Sequence, residues 1–255
     1  MAPNLSFVFC GSNAGYGGNF IERVQSCLDN LYFLLEKNKA NADVTVIEWN
    51  PPLDRPRIFD ALEFNSKEIQ TKVVTIPKEV HDSISNPHNE KFFEYWAKNV
   101  GIRRAAGEFL LSTNPDNIYS PELIERLSGN LDPNCFYRVN RTDIDANGKV
   151  LVTHYKTAPE LHFNGSGDFI LMHRDAWARI HGHPEVPYSL TVDGQTVWLA
   201  HKAGLKQIIL PEPMYHQDHS RTPKYFDPWD DLTPHGKKNG DDWGFRGVEF
   251  ETRYL

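Results

Sequence analysis

The sequence predicts an α/β protein in which helices flank a mainly parallel, Rossmann-like sheet. The first indication is the apolar run "LSFVFC", which is followed by a glycine-rich turn and then by apolar residues at helical spacing. The second is that strand, helix and strand alternate through the first half of the chain. The third is that several apolar runs are short and end at Gly, Pro or Asn, which is typical of buried strands.

The elements of the first half follow from these patterns. After the strand at residues 5–10, we predict a helix that begins at Asn19 and uses Glu22 as the partner of a capping box. Two more strands, "ADVTVIEW" and "TKVVTIP", are stopped by prolines. The segment "FFEYWAKNVGIRRAAG" is predicted to be a helix that leads into the strand "EFLLST".

The second half continues with different connections. The helix "PELIERLSGNL" precedes a hairpin in which "CFYRVNRTDI" and "VLVTHYK" flank the turn "DANGK". A strand-to-helix unit, a second helix and the closing strand "LKQIILPEPMYH" complete a single domain over residues 1–216. Residues 217–255 show no periodicity, and we interpret them as an irregular tail of the same domain that acts as an active-site lid, with His219, Arg221, Trp229 and Trp243 over the donor.

The composition excludes several classes of protein. A net charge of −7 argues against binding to a nucleic-acid backbone. No window approaches the roughly 20 apolar residues of a transmembrane helix, and the first residues lack the pattern of a signal peptide. Three cysteines, two of them in apolar segments, indicate a reducing compartment, so we expect a cytoplasmic protein.

Polar residues follow three of the predicted strands. Gly11 and Ser12 come after the first strand, Glu48 ends the second, and Asn114 and Asp116 come after the fourth. In open α/β sheets the loops at the carboxyl ends of the strands bind ligands, so these residues are candidates for a nucleotide site. A polar turn with no ligand remains the alternative at each position.

The histidines suggest a metal ion at one place. The zinc-hydrolase spacing H-E-x-x-H is absent, and His181 and His183 are predicted to be surface residues that cap a helix. His216 differs because it ends a predicted core strand on the same edge as Asp116. One carboxylate and one imidazole form an incomplete shell, which suits a divalent ion completed by substrate phosphates and water.

Three segments, taken in order, resemble the GT-A glycosyltransferases of the inverting, family-two-like kind. They are "NVGIRRAAGEFLLSTNPDN", which is similar to the approach to the metal motif, "GDFILMHRDAWARIHGHPE", and "VDGQTVWLAHKAGLKQIILPEPMYH". The chain departs from the family pattern at Asn114, where the first Asp of D-x-D is usual, and at Val192, where a Glu is usual.

The resemblance implies a hexosyl- or pentosyltransferase of glycan biosynthesis. Its donor would be a UDP- or dTDP-type nucleotide-sugar, and its acceptor a hydroxyl of a glycan or other glycoconjugate. The catalytic base would be Asp193, for which helix capping is the alternative. The metal ion, Mn²⁺ or Mg²⁺, would be held by Asp116 and His216. The donor-binding residues would be Gly11, Ser12, Glu48, Asn99, Arg103, Asn114 and Asp116.

Three other functions stay open on the sequence. The departures at Asn114 and Val192 allow a non-catalytic GT-A-like protein that binds a sugar or a nucleotide. A nucleotide-binding regulator or nucleotidyltransferase would need basic residues in the first loop, and residues 11–20 contain none. A retaining transferase would keep the same fold and metal site but would not use Asp193 as a base.

Overall fold

The computed structural model describes residues 3–156, 160–188, 191–220 and 237–255. Within them, strands and helices alternate through the first half, as the sequence predicts. The strands are β1 Leu5–Gly11, β2 Ala42–Trp49, β3 Gln70–Ile76, β4 Phe109–Thr113, β5 Asn117–Tyr119, β6 Cys135–Ile144, β7 Val150–His154, β8 Phe169–His173, β9 Lys206–Gln217 and β10 Glu251–Tyr254. The helices are α1 Phe20–Lys37, α2 Ile58–Ala61, α3 Lys78–Ser83, α4 Glu94–Arg104, α5 Pro121–Leu127, α6 Arg174–Ile180 and α7 Val192–Lys202.

The strands form one mixed sheet in the order β10-β3-β2-β1-β4-β8-β6-β9-β5, and β7 pairs with β6. The run β3-β2-β1-β4 is parallel, as is the pair β6 and β9, whereas β8 is antiparallel to both of its neighbours. Because two antiparallel steps separate β4 from β6, the strands β4, β6 and β9 all point the same way. Their carboxyl ends therefore lie on the same edge of the sheet as those of β1 and β2.

Alternate residues of β1 face the two helical layers. Phe7 and Phe9 belong to the larger core, which includes residues of α1 and α5. Val8 belongs to the core shared with α6 and α7. On that second face α4 packs so tightly on the sheet that a Cβ added at Gly101 would lie 2.4 Å from Val8 Cγ1. This period of two produces a helix–sheet–helix arrangement.

The start of α1 differs from the predicted capping box. Asn19 precedes the helix with a left-handed backbone, φ 42°, and its side chain makes no capping hydrogen bond. A capping residue normally has an extended backbone, which aims its side chain at the free N–H groups of the first turn. The left-handed conformation of Asn19 removes that geometry, so the capping box is wrong although the helix is correct.

The end of the chain also differs from the prediction of an irregular tail. Residues 251–254 form β10, which pairs antiparallel with β3 at the edge of the sheet. Trp243 is buried in the core shared with α6 and α7. The proposed lid residues Arg221 and Trp229 lie outside the described residues, so the lid and the boundary at residue 217 stay predictions. Of the helices that the structure describes, none has the length and apolar character needed to cross a membrane.

Candidate metal and donor site

Asp116, His216 and His219 form a compact cluster at the carboxyl edge of the sheet. Asp116 lies in the turn between β4 and β5, and β5 pairs antiparallel with the end of β9. This pairing brings His216 and His219 to Asp116, where Asp116 Oδ2 lies 3.8 Å from His216 Nε2 and 3.3 Å from His219 Nε2. One potential ligand atom from each residue lies within 4.8 Å of the others. The turn at Asp116 is therefore also a potential ligand site.

The donor set of this cluster fits a divalent cation. Asp116 Oδ1 is buried and makes no hydrogen bond, although a buried carboxylate oxygen normally has a partner. One carboxylate and two imidazoles suit a first-row divalent ion with positions left for other ligands. Without an ion, the hydrogen bond to Asp116 raises the pKa of His219, against the opposing effect of its partial burial.

The glycine-rich first loop packs against the same cluster. The rings of Tyr16 and His219 lie 5.0 Å apart, and a Cβ added at Gly17 would lie 2.6 Å from His219 Nδ1. Arg23, in the first turn of α1, donates to the carbonyls of Tyr16, Gly17 and Gly18. Its Nε lies 3.8 Å from Asp116 Oδ2 and is buried without a hydrogen bond. The first loop has no basic residue of its own, but Arg23 places a positive charge beneath it.

A second layer of charges surrounds the cluster from β6. Asp143 lies 3.2 Å from His216 Nδ1, and its other oxygen lies 3.0 Å from His154 Nε2 on β7. Arg141 Nε lies 2.9 Å from Asp143, and Arg141 Nη1 donates to Asp168 at 2.6 Å. Burial acts to raise the pKa of Asp143, but the hydrogen bond from His154 and the charge of Arg141 outweigh it and hold that pKa below its usual value.

Asn114 does not direct its side chain at the metal cluster. Its amide nitrogen donates to Asp168 Oδ1 at 2.8 Å, and its oxygen accepts from Lys98 Nζ at 2.7 Å. Lys98 is fully buried and also donates to Glu94 and to the carbonyl of Gly167. Asn114 thus links a buried cation to a buried carboxylate, and its predicted contact with the donor stays a prediction.

Asp193 lies at the second position of α7 and is not the capping residue, which is Thr191. Its Oδ2 accepts the backbone N–H of Gly167 at 2.8 Å, and its Oδ1 accepts that of Gly194 at 2.8 Å. Because the Gly167 carbonyl accepts from Lys98, the backbone of a single residue, Gly167, connects Asp193 to the Asn114 network. Asp193 remains partly exposed, and its role as the catalytic base stays a prediction.

Of the other predicted donor residues, Gly11, Ser12 and Glu48 lie at or just after the ends of β1 and β2. Gly11 ends β1, and Ser12 Oγ donates to the carbonyl of Asn50 at 3.4 Å. Glu48 is completely buried, with one oxygen accepting from Ile58 N at 2.6 Å and the other from Arg57 Nε at 2.5 Å. Its contact with a nucleotide stays a prediction, and within the described residues its carboxylate already stabilises the start of α2.

Asn99 and Arg103 are not brought to the metal cluster. Asn99 is buried and exchanges hydrogen bonds with the backbone of His183. Arg103 stacks on Trp243, with its guanidinium carbon 4.0 Å from the ring centre, and donates to the Trp243 carbonyl. It lines a cavity of about 390 Å³ together with Lys72 and residues of the chain end, at the edge where the parallel strands begin. The roles of Asn99 and Arg103 in donor binding stay predictions.

His183 is not a surface residue, contrary to the prediction. Its ring is completely buried, with Nε2 2.8 Å from Ser112 Oγ and Nδ1 2.8 Å from Thr196 Oγ1. Burial holds the pKa of His183 well below its usual value, so the ring is neutral. His181 does form the left-handed end of α6, with φ 60°.

The sequence reasoning missed the part that His219, Arg23 and Asp143 play in this site. His219 was assigned to the lid, although its spacing three residues after His216 could have signalled a second imidazole ligand. Arg23 falls within the apolar pattern of α1, and Asp143 lies inside a hairpin strand. The pairing of β6 with β9 sets Asp143 opposite His216, and only the packing of α1 on the turn after β4 brings Arg23 to Asp116.

No protein-family model and no curated protein matches the chain. Among solved structures with the same fold is the catalytic domain of Drosophila β1,4-galactosyltransferase 7 in complex with xylobiose, with a TM-score of 0.55, 13% identity, and coverage of 93% of this chain and 82% of that one. Another is the mannosyltransferase PcManGT from Pyrobaculum calidifontis in complex with GDP-Man and Mn²⁺, with a TM-score of 0.57, 14% identity, and coverage of 85% of this chain and 57% of that one. The prediction of a single GT-A-like α/β domain is confirmed.

Proposed function

We propose that this chain is a metal-dependent glycosyltransferase that moves a sugar from a nucleoside-diphosphate sugar, of the UDP or dTDP type, to a hydroxyl of a glycan or other acceptor. The observation that carries the proposal is the cluster of Asp116, His216 and His219 at the carboxyl edge of the sheet. The fold is shared with glycosyltransferase catalytic domains, and one of them was solved with a nucleotide-sugar and Mn²⁺. The site and the fold thus support the same chemistry.

The donor set favours Mn²⁺ over Mg²⁺. Mg²⁺ prefers oxygen ligands in a near-ideal octahedron, whereas two of the three protein ligands here are imidazole nitrogens. Mn²⁺ would accept the mixed oxygen and nitrogen ligands that Asp116, His216 and His219 offer. When bound, the ion supplies Lewis-acid stabilisation of the departing diphosphate.

The protein residues supply the rest of the reaction. Asp116, His216 and His219 hold the ion, and Arg23 places a positive charge 3.8 Å from the carboxylate of Asp116, on the side of the first loop. Asp193 accepts the proton of the acceptor hydroxyl while that oxygen attacks the anomeric carbon and the bond to the nucleoside diphosphate breaks. Attack opposite the leaving group inverts the anomeric centre.

A second candidate function rests on the surroundings of Asp193. Both of its carboxylate oxygens accept backbone N–H groups, and Val192 precedes it where the resemblance implies a glutamate. Two backbone donors therefore already occupy the carboxylate that would have to accept the proton of the acceptor hydroxyl. A protein that binds a nucleotide-sugar through the metal cluster and catalyses no transfer would account for that arrangement.

The experiment that tests the proposal is a transfer assay with a panel of UDP-, dTDP- and GDP-sugars. Each donor is supplied with Mn²⁺, with Mg²⁺ or with EDTA, and binding is measured in parallel by calorimetry. We expect one donor class to bind with Mn²⁺ and to lose at least tenfold in affinity with EDTA. NMR of the product is expected to show the inverted anomer. Binding without transfer to any acceptor would favour the second candidate, and a retained anomer would exclude Asp193 as the base.

A further inference from the structure

The His216 ring contacts a different carboxylate at each nitrogen. Its Nε2 faces Asp116, 3.8 Å away, whereas its Nδ1 lies 3.2 Å from Asp143 Oδ1 on β6. Both His216 and Asp143 are buried, 4% and 4% exposed, so water does not substitute for either carboxylate. The ring therefore lies between a potential metal ligand and a second carboxylate.

We infer that Asp143 is a positioning residue that keeps the proton of His216 on Nδ1 and so presents the Nε2 lone pair to the divalent cation. The inference rests on the metal site of the proposed function. An imidazole coordinates a metal through one nitrogen only if the proton is on the other, and a carboxylate beside that other nitrogen fixes both the tautomer and the ring orientation. The separation of 3.2 Å is within hydrogen-bonding distance, although the two atoms are not aligned as a hydrogen bond in this structure.

Asp143 is itself held in place by two basic groups. Arg141 contacts it through Nε at 2.9 Å, and His154 Nε2 lies 3.0 Å from its second oxygen. The neighbouring strand also fixes it, because Asp143 and His216 are paired residues of β6 and β9. The carboxylate is therefore placed before a metal ion arrives, and ligand orientation does not have to be acquired on binding.

A purely structural role for Asp143 predicts a different result. In that case its function would be to attach the β6–β7 hairpin through His154, and any variant that breaks this contact would act in the same way. The variant His154→Ala removes the hairpin contact and leaves the contact with His216 in place. It is therefore the matched control for Asp143→Ala and Asp143→Asn.

The test combines metal affinity with the tautomer of His216. Calorimetric titration with MnCl₂ is expected to show an affinity about 10- to 100-fold weaker for Asp143→Ala, a smaller loss for Asp143→Asn, whose amide oxygen can still accept the N–H, and a change of less than about threefold for His154→Ala. Long-range ¹H–¹⁵N NMR of the EDTA-treated protein is expected to show the His216 proton on Nδ1 in the wild type and on both nitrogens in Asp143→Ala.

Two results would overturn the inference. One is an equal loss of Mn²⁺ affinity in Asp143→Ala and His154→Ala, and the other is a wild-type His216 protonated on Nε2. If Asp143→Ala does not fold, Asp143→Asn and the wild-type tautomer still decide the matter. If the wild type binds no Mn²⁺, the metal role in the proposed function fails, and the tautomer alone tests the contact between Asp143 and His216.

Discussion

At the scale of single residues, Asn114 and Asp116 have different tasks although only Pro115 separates them. Asp116 has a buried oxygen that no described residue hydrogen-bonds, beside two imidazoles, whereas the amide oxygen and nitrogen of Asn114 bond to Lys98 and Asp168. Asp116→Ala is expected to weaken Mn²⁺ binding at least 100-fold, because it removes the charged ligand from the cluster.

The matched variant is Asn114→Ala. It is expected to reduce Mn²⁺ affinity less than about fivefold and to lower the melting temperature, because it leaves Lys98 and Asp168 short of a partner in a buried network. Calorimetry with MnCl₂ and thermal unfolding in EDTA measure the two effects. Equal losses of affinity in the two variants would show that Asp116 only forms a turn.

Asp193 can be tested as a base separately from its hydrogen bonds to the backbone. Asp193→Asn keeps the shape of the side chain and one acceptor oxygen but loses the basicity, so kcat is expected to fall 10²- to 10⁴-fold while the Kd of the donor changes little. Asp175→Asn is the control, because Asp175 also lies in the first turn of a helix and is exposed. An Asp193→Asn protein that is less stable but keeps its kcat would assign Asp193 a structural role.

The sequence identified some site residues and missed others for a physical reason. Asp116 and His216 end elements whose apolar pattern is clear, so the shared edge of the sheet could be predicted from strand order. Asp143 lies opposite His216 only because β6 and β9 are parallel neighbours with a defined register, and a single sequence does not reveal that register. His183 was misplaced because its burial depends on Ser112 and Thr196, which come from two other elements.

At the scale of elements, the first loop and the metal cluster are one packed unit. Gly17 has φ +67°, and a Cβ there would lie 2.6 Å from His219 Nδ1. Gly17→Ala is therefore expected to displace His219 and to weaken Mn²⁺ binding about tenfold or more. Gly18 has the same φ of +67° and no atom within 4 Å of the added Cβ, so Gly18→Ala reproduces the backbone strain without the collision.

The pair of variants separates strain from contact. Both are expected to lower the melting temperature by similar amounts, since a non-glycine residue at positive φ is strained in either position. Only Gly17→Ala is expected to weaken the affinity for Mn²⁺ and to change the fraction of protein that binds nucleotide. Similar Mn²⁺ affinities in the two variants would mean that the position of His219 does not depend on the loop.

A helix or strand can be predicted from the sequence where its own pattern of apolar residues determines the structure. The apolar residues of α1 and the alternation of β1 specify their faces without help from the rest of the chain. The strand β10 was missed because "ETRY" has no apolar pattern, and it becomes a strand only by pairing with the exposed edge of β3. The strand β10 is stabilised by its pairing with β3, which is distant in sequence, and the residues of β10 alone do not indicate that pairing.

At the scale of the whole molecule, buried histidines couple folding to pH. Burial lowers the pKa of His183 well below its usual value and, with the nearby charge of Arg138, lowers the pKa of His162 to about 4. Burial also lowers the pKa of His81. His219 is shifted upward, chiefly by its hydrogen bond to Asp116. The first three favour folding at neutral pH, whereas His219 favours it in acid.

These shifts predict that the metal-free protein loses stability as the pH falls from about 6.5 to 4. In that window the unfolded chain protonates His183 and His162 while the folded chain does not, so each contributes up to about 1.4 kcal/mol per pH unit to the slope. His219 opposes this slope near pH 6.5, where only the folded state is fully protonated, and adds almost none at lower pH, where both states bind its proton. Urea unfolding in EDTA at pH 7, 6 and 5 measures the effect. His183→Gln is expected to flatten the slope although it lowers stability at pH 7. A wild-type stability that is constant from pH 7 to 5 would mean that these rings take up protons without unfolding.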